Sequence, residues 1–290
     1  MKQKQIENKA LIITIVMNSV IAAAGIWMYV LTGLQIMFLD GFFSLIALIS
    51  SVAAVVISRI SINRTERYPG GLYFLEPLYA LFKASLMIAL MVSAVYESFL
   101  VAYEYFAYGR GEIMDTDALP AYTLFVTALC LGLGFYNRAE YKRTNKTSTI
   151  LRAESQTNFI DGLQSAGIGV AIVLLRLIPK ESALDFLHYT GDFFIALILV
   201  IGALKEPIVL FFDAFRELTG GVANDTRIIR AVEGATGLDK SRFTVYKMGM
   251  RIRVRVCLSS AYELEGIDKD KMRKSLREVY ENSEIEFVLL

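Results

Sequence analysis

Histidine occurs once in this 290-residue chain, at His188, and cysteine only twice, at Cys130 and Cys257. The cysteines stand in unrelated segments without Cys-x-x-Cys spacing, which excludes a disulfide framework and a zinc knuckle. A basic excess is missing too, since 30 Lys and Arg against 29 Asp and Glu leave a formal charge of +1. Such a chain has no surplus positive charge with which to neutralise phosphates, so nucleic acid is excluded as a partner. There is no phosphate-binding glycine loop, nucleophile–base pair or catalytic carboxylate dyad, and the chain does not read as an enzyme.

What is abundant is apolar sequence. Hydrophobic residues make up 55% of the chain and the mean hydropathy is +0.47, more than a soluble domain of this size carries. Membrane lipid is therefore the expected surroundings. Six segments, near 10–32, 35–58, 73–101, 119–139, 156–178 and 184–206, are long enough to cross a hydrocarbon core of roughly 30 Å. The basic N-terminus precedes an apolar stretch long enough to span and without a small-residue cleavage site, so it reads as a first transmembrane helix and not a cleaved signal.

Charge orients these spans. Lys2, Lys4 and Lys9 in the N-terminal tail, Arg59, Arg64 and Arg67 in the second connection, and Arg138, Lys142, Arg143, Lys146 and Arg152 in the fourth belong inside. The first connection is uncharged and the third carries Glu104, Glu112, Asp115 and Asp117, so both termini are expected to be cytoplasmic. After about Pro207 the composition becomes that of a soluble domain. NDTRIIRAVEGATG suits a short helix, DKSRFTVYKMGMRIRVRVCLSS alternates as a strand pair does, DKDKMRKSLREVYEN suits a second helix and EIEFVLL a closing strand. The reading is thus a six-helix transmembrane domain over 1–206 and a small α+β domain over 207–290, with two helices on one face of a sheet.

One apolar segment carries an unexpected charge. FLDGFFSLIALISS holds Asp40 near its start, and a carboxylate in lipid costs at least about 2.5 kcal/mol. Such a residue is retained for a partner, a pathway or a substrate.

Asn18, LDGFFSLIALISS, YPGGLYFLEPLYAL, LRAESQTNFIDGLQSAGIGV and TGDFFIAL follow one another in the order of the pieces of the cation diffusion facilitator family, which the chain resembles over essentially its whole length. The resemblance implies a homodimer with a ferredoxin-like cytoplasmic domain that exports a divalent cation, usually in exchange for protons. It implies no cofactor beyond the transported ion.

The family's ion site takes ligands at i and i+4 from the second and fifth helices. In the second helix the family pattern Asp-Gly-x-His-Ser-Leu-x-Asp falls on Asp40–Ala47, so the two ligand positions have become Phe43 and Ala47. In the fifth, His-x-x-x-Asp falls on Thr157–Asp161, which keeps Asp161 as a charged ligand and Thr157 as a weak oxygen donor. With no imidazole or thiolate to offer, a tetrahedral zinc site is not expected. Asp40, Asp161 and Gln164, with Ser165 beside them, suggest an oxygen-only cluster displaced outward. Such a cluster suits manganese, magnesium or a monovalent cation.

Asp40 reads equally as a carboxylate satisfied by neighbouring helices, with Lys83 as candidate counter-charge. Glu76 and Lys83, seven residues apart, lie near one face of the third helix. They read as a structural intramembrane pair, or Lys83 stands in for the cation when the site is empty. The expected function is cation transport by alternating access with proton exchange through Asp161. The alternative is a non-transporting relative that has lost its ion site and acts as an interaction or regulatory membrane protein.

Overall fold

The structure, a computed structural model, describes residues 2–32, 35–110, 119–177, 185–260, 262–263 and 266–289. Within these ranges the side chains of residues 2, 31–32, 35–43, 94, 171–172, 175–176, 192, 195 and 199 are not among the described residues. The acidic positions Glu112, Asp115 and Asp117 of the third connection lie outside the described residues, and Glu104 falls inside a helix.

Six helices come first: α1 Lys2–Thr32, α2 Gln35–Ile60, α3 Leu75–Tyr108, α4 Leu119–Arg143, α5 Thr149–Leu177 and α6 Leu187–Ala203. A seventh, α7 Lys205–Leu218, continues α6 across a bend of 41°. Among the described residues, α1, α3 and α4 are long and apolar enough to cross a membrane, and the α6–α7 pair is a fourth if taken as one span. Helix α5 carries Arg152, Glu154, Ser155, Gln156, Thr157, Asn158, Asp161 and Gln164 in its N-terminal part. The bundle buries charged groups among its apolar core and exposes large apolar side chains outside, the reverse of a water-soluble protein. Trp27, Phe82, Leu124, Phe135 and Ile201 are exposed, whereas Glu7, Glu76 and Glu154 are fully buried. Lipid makes that inversion stable, because an apolar exterior costs nothing there and every polar group must find its partner inside.

Helix–helix contacts use small or hydrogen-bonding residues, as packing in lipid requires. Thr14 of α1 and Asn137 of α4 exchange hydrogen bonds of 3.1 and 3.0 Å. A β-carbon on Gly162 would lie 2.8 Å from the Leu131 side chain, which fixes the close approach of α4 and α5. Toward their far ends α3 and α6 meet through aromatic rings, with Tyr105 and Tyr189 stacked at 4.6 Å and Phe99 and Phe193 edge-on at 5.8 Å.

The C-terminal domain follows the expected order: α8 Thr226–Thr236, a 3₁₀ turn at Lys240–Arg242, β1 Phe243–Met248, β2 Arg251–Leu258, α9 Lys269–Val279 and β3 Asn282–Leu289. The sheet order is β1-β2-β3, with β1 and β2 antiparallel and β2 and β3 parallel. Strand alternation sends Val245, Ile252, Val254, Val256 and Leu258 under the two helices, against Ile228, Val232, Met272 and Leu276. The opposite face carries Arg253 and Arg255 beside Glu284 and Glu286.

Both helices of this domain start on an aspartate. Asp268 accepts from Lys271 N–H at 2.9 Å. Asp225 accepts from Arg227 N–H at 2.9 Å and pairs with the Arg227 guanidinium at 2.6 Å. Burial pushes the Asp225 carboxyl up, but the side-chain and backbone hydrogen bonds from Arg227 outweigh it and hold it below the usual aspartate value. A depressed value means that the stabilisation is present above the unfolded value and fades as pH falls through the folded one. Asp225→Ala should therefore cost about 1 kcal/mol at neutral pH. The difference in melting temperature from wild type should shrink on acidification below about pH 4, as thermal melts of the detergent-purified chain would show.

Candidate functional site: two buried ion-pair layers

The interior polar residues of the bundle gather in two layers. The deeper one centres on Glu154 of α5. Its Oε1 receives the Lys83 ammonium of α3 at 2.5 Å and the Tyr79 hydroxyl, and its Oε2 lies 3.2 Å from Ser51 Oγ of α2. Ser51 Oγ accepts from Asn18 of α1 at 2.8 Å and lies 3.0 Å from the Ala47 carbonyl. Ser50 Oγ reaches Tyr79 Oη at 3.1 Å, and Lys83 also donates to Tyr79 Oη at 3.3 Å. Three helices, α2, α3 and α5, thus meet on one carboxylate, and α1 joins them through Ser51. A buried carboxylate needs this much, since any unpaired lone pair would leave a desolvated charge.

The second layer lies one heptad along α2 and α3, about 10 Å away. Lys4 Nζ of α1 sits between Glu7 at 2.5 Å and Glu76 of α3 at 2.8 Å. Glu7 also accepts from Ser58 of α2 and Ser148, the cap of α5. Between the layers each helix places an apolar residue, Leu11, Ala54, Ala80 and Leu151, all fully buried in one packed cluster. This septum separates the Glu154 layer from the end of the bundle that meets the C-terminal domain.

The β1–β2 turn is seated on that second layer. Glu76 Oε2 accepts from Met250 N–H at 3.1 Å, and Glu217 of α7 accepts from Gly249 N–H at 3.0 Å. Lys247 pairs with Glu217 and donates to Thr149 Oγ1 at 3.1 Å. Burial would lower the Lys247 ammonium, but the Glu217 charge prevails and raises it above its ordinary value. Gly249 has φ +57°, and a β-carbon there would lie 2.7 Å from Glu76 Oε2 and 2.9 Å from the Tyr73 carbonyl.

Several expectations change. Glu76 and Lys83 are not each other's partners: Lys4 takes Glu76 and Glu154 takes Lys83. The physical reason is distance, because seven residues separate two side chains by about two helical turns. Charge patterning places Lys4 in the N-terminal tail, yet α1 begins at Lys2 and buries it. Glu154 lies two residues before the fifth span that hydropathy delimits at 156–178, so hydropathy alone leaves it outside the membrane segment. The signal was available, since residues 154, 157, 158 and 161 share one helical face.

Of the predicted ligands, Asp161 is half-buried on α5 and makes an interaction of its own. Thr157 is buried, donates to the Ala153 carbonyl at 3.0 Å and lies 3.2 Å from Met87 Sδ. Gln164 is half-buried one turn beyond Asp161. Ala47 is half-buried on α2. The contacts predicted for Asp40, and the side chain of Phe43, fall outside the described residues. Among the described residues no three His, Cys, Asp or Glu side chains converge as a metal cluster. The acidic residue after the sixth helix, Asp213, pairs with Arg152 of α5 at 2.8 Å.

Removing one member of the deep pair should be far worse than removing both. Glu154→Gln leaves a buried ammonium without its counter-charge and should cost about 3–5 kcal/mol, most of it recovered in the Lys83→Met/Glu154→Gln double variant. Thermal melts of wild type, Glu154→Gln, Lys83→Met and the double variant would read the coupling. Gly249→Ala should lower stability by about 1–3 kcal/mol through backbone strain and collision with Glu76. Limited proteolysis should then cut between the domains sooner than in wild type.

The family model of the cation efflux transmembrane domain matches residues 11–219, most of the helical bundle including α7. No curated protein matches the chain. A match over more than half the length, on a helical bundle with charges buried at its centre and a small α+β domain behind it, makes this chain a member of the cation efflux, or cation diffusion facilitator, family of membrane cation transporters.

Proposed function

We propose that the protein moves a small cation by alternating access through an oxygen-lined path, in exchange for protons, and that zinc is not its preferred cargo. The observation that carries this reading is the polar face of α5, on which Glu154, Thr157, Asn158, Asp161 and Gln164 follow one another along a single stripe. Each offers oxygen; none offers imidazole or thiolate. Hard oxygen donors favour manganese, magnesium or a monovalent cation over zinc. In this reading Asp161 is the central ligand, Asp40 faces it from α2, and Thr157 and Gln164 complete the shell. Two carboxylates brought together across α2 and α5 repel unless a cation or a proton lies between them, which links cargo release to proton uptake.

The apolar septum formed by Leu11, Ala54, Ala80 and Leu151 serves as the barrier on the side of the C-terminal domain. Alternating access then requires those four helices to part there while the far side closes. The family resemblance further supports six spans, cytoplasmic termini and a homodimer.

A second reading keeps the fold and drops the transport. The replacement of two customary ligand positions by Phe43 and Ala47, and the saturation of Glu154 by its own neighbours, favour a relative that serves as an interaction or regulatory membrane protein.

Uptake into proteoliposomes, screened across zinc, manganese, magnesium, iron and sodium with internal pH recorded, decides between them. Transport of an oxygen-preferring cation with a matching pH change, weakened by Asp161→Asn, is the expected result. Uptake of none supports the second reading, and zinc as the best substrate would overturn the ligand argument. The triple variant Phe43→His, Ala47→Asp, Thr157→His should gain zinc binding measurable by calorimetry, because the helix spacing still aims these positions together. A folded triple variant that binds no zinc would show the α2 register to be wrong.

A further inference from the structure

The Lys83 side chain enters the bundle from α3 and ends on a carboxylate surrounded by oxygen. We infer that Glu154, with Ser51, Tyr79 and Asn18 around it, is a binding site for a singly charged cation, and that the Lys83 ammonium is the occupant the chain supplies for itself. The site is distinct from the Asp40, Thr157, Asp161 and Gln164 set, which begins about one turn farther along α5. The inference rests on the transport reading only in giving the site a use.

The geometry supports an occupied site better than a plain structural pair. Two neutral hydroxyls, Tyr79 Oη and Ser51 Oγ, join the ammonium on Glu154. Ser50 and Asn18 stand behind them as a second rank of polar groups. A structural ion pair needs only its two ends and some hydrogen bonds. Here two hydroxyls converge on the carboxylate, and a serine and an amide hold those hydroxyls in turn, all buried away from water where each polar group is costly. Hydroxyls can turn, so Tyr79 Oη, 3.3 Å from Nζ, can present a lone pair to a cation placed there beside Glu154 Oε1, and Ser51 Oγ holds the other carboxylate oxygen.

Charge sets the class of ligand. The described groups against Glu154 carry one negative and one positive charge, and the residues that pack on the next turn of α3 around Met87, namely Ile160, Val200, Ala203 and Leu204, carry none. One carboxylate among neutral oxygens balances a single positive charge. A doubly charged ion would leave an excess in low dielectric. Sodium and its like fit, with all-oxygen coordination and one charge.

The role follows. When cargo is absent, an empty Glu154 would be a buried unpaired carboxylate, and the ammonium removes that cost. Cargo must displace a tethered competitor, so Lys83 lowers the apparent affinity of the site and holds the unloaded bundle in its septum-closed form. The pair would then be a built-in inhibitor of leak.

The test uses the full chain in detergent and reads melting temperature in sodium chloride against choline chloride at equal ionic strength. Lys83→Gln vacates the site, and sodium should raise its melting temperature by about 5 °C or more relative to choline. Wild type should respond far less. Lys83→Arg keeps a cation on Glu154 and should stay as unresponsive as wild type; a sodium response in Lys83→Arg equal to that of Lys83→Gln would overturn the tethered-occupant role. Lys83→Gln/Glu154→Gln, which folds without a buried charge, should lose the response. No sodium effect on Lys83→Gln, or an equal effect on the double variant, would overturn the site. A response to manganese(II) and not to sodium would overturn the single-charge assignment. None of these readouts depends on flux, so failure of the transport screen and failure of this site are separate results.

Discussion

An ammonium group can stay in the middle of an apolar bundle only where a carboxylate meets it, and the contact of Lys83 with Glu154 is the constraint around which the other helices are arranged. Helix α3 brings the cation and α5 the anion. Helix α2 must then supply Ser51, and α1 must supply Asn18 to hold Ser51 in place. Moving any of the four by a turn leaves a charge or a hydroxyl unpaired in low dielectric, where it costs more than the displaced packing contacts would. The pair therefore specifies register as much as it adds stability.

The same logic repeats one heptad away with different residues. Lys4 bridges Glu7 and Glu76, and the serines at 58 and 148 fill the remaining acceptor sites of Glu7. Between the two layers lies a septum of small and medium apolar side chains with no exposure. A stack of charged layer, apolar layer and charged layer ties the register of the helices to the matching of the charges.

The second layer is also where the domains meet. Gly249 and Met250 point their N–H groups at Glu217 and Glu76, so the tightest turn of the sheet rests on carboxylates rooted in α7 and α3. Glu76 is shared between Lys4 and this turn. A shift of α1 relative to α3 alters the charge that the turn sees, and a movement of the sheet alters the charge left for Lys4.

The sequence by itself determined the class of the molecule, because hydropathy and charge are sums over long stretches and survive errors of a few residues. The apolar helices, the switch to an alternating strand pair after Pro207, the helix starts at Asp225 and Asp268, and the absence of imidazole at positions 43 and 157 are all legible without coordinates. The partners of the buried charges were decided by the tertiary structure alone. Glu76 and Lys83 share a helix face and have opposite signs, yet each pairs across to another helix. A side chain reaches a neighbouring helix at 8–10 Å between axes more readily than a residue two turns away on its own. Lys4 and Glu154 sit at the ends of apolar runs, where a one-dimensional reading places water. Only the packing of α1 and α5 against their neighbours puts those two residues inside, and with them the charges on which the rest depends.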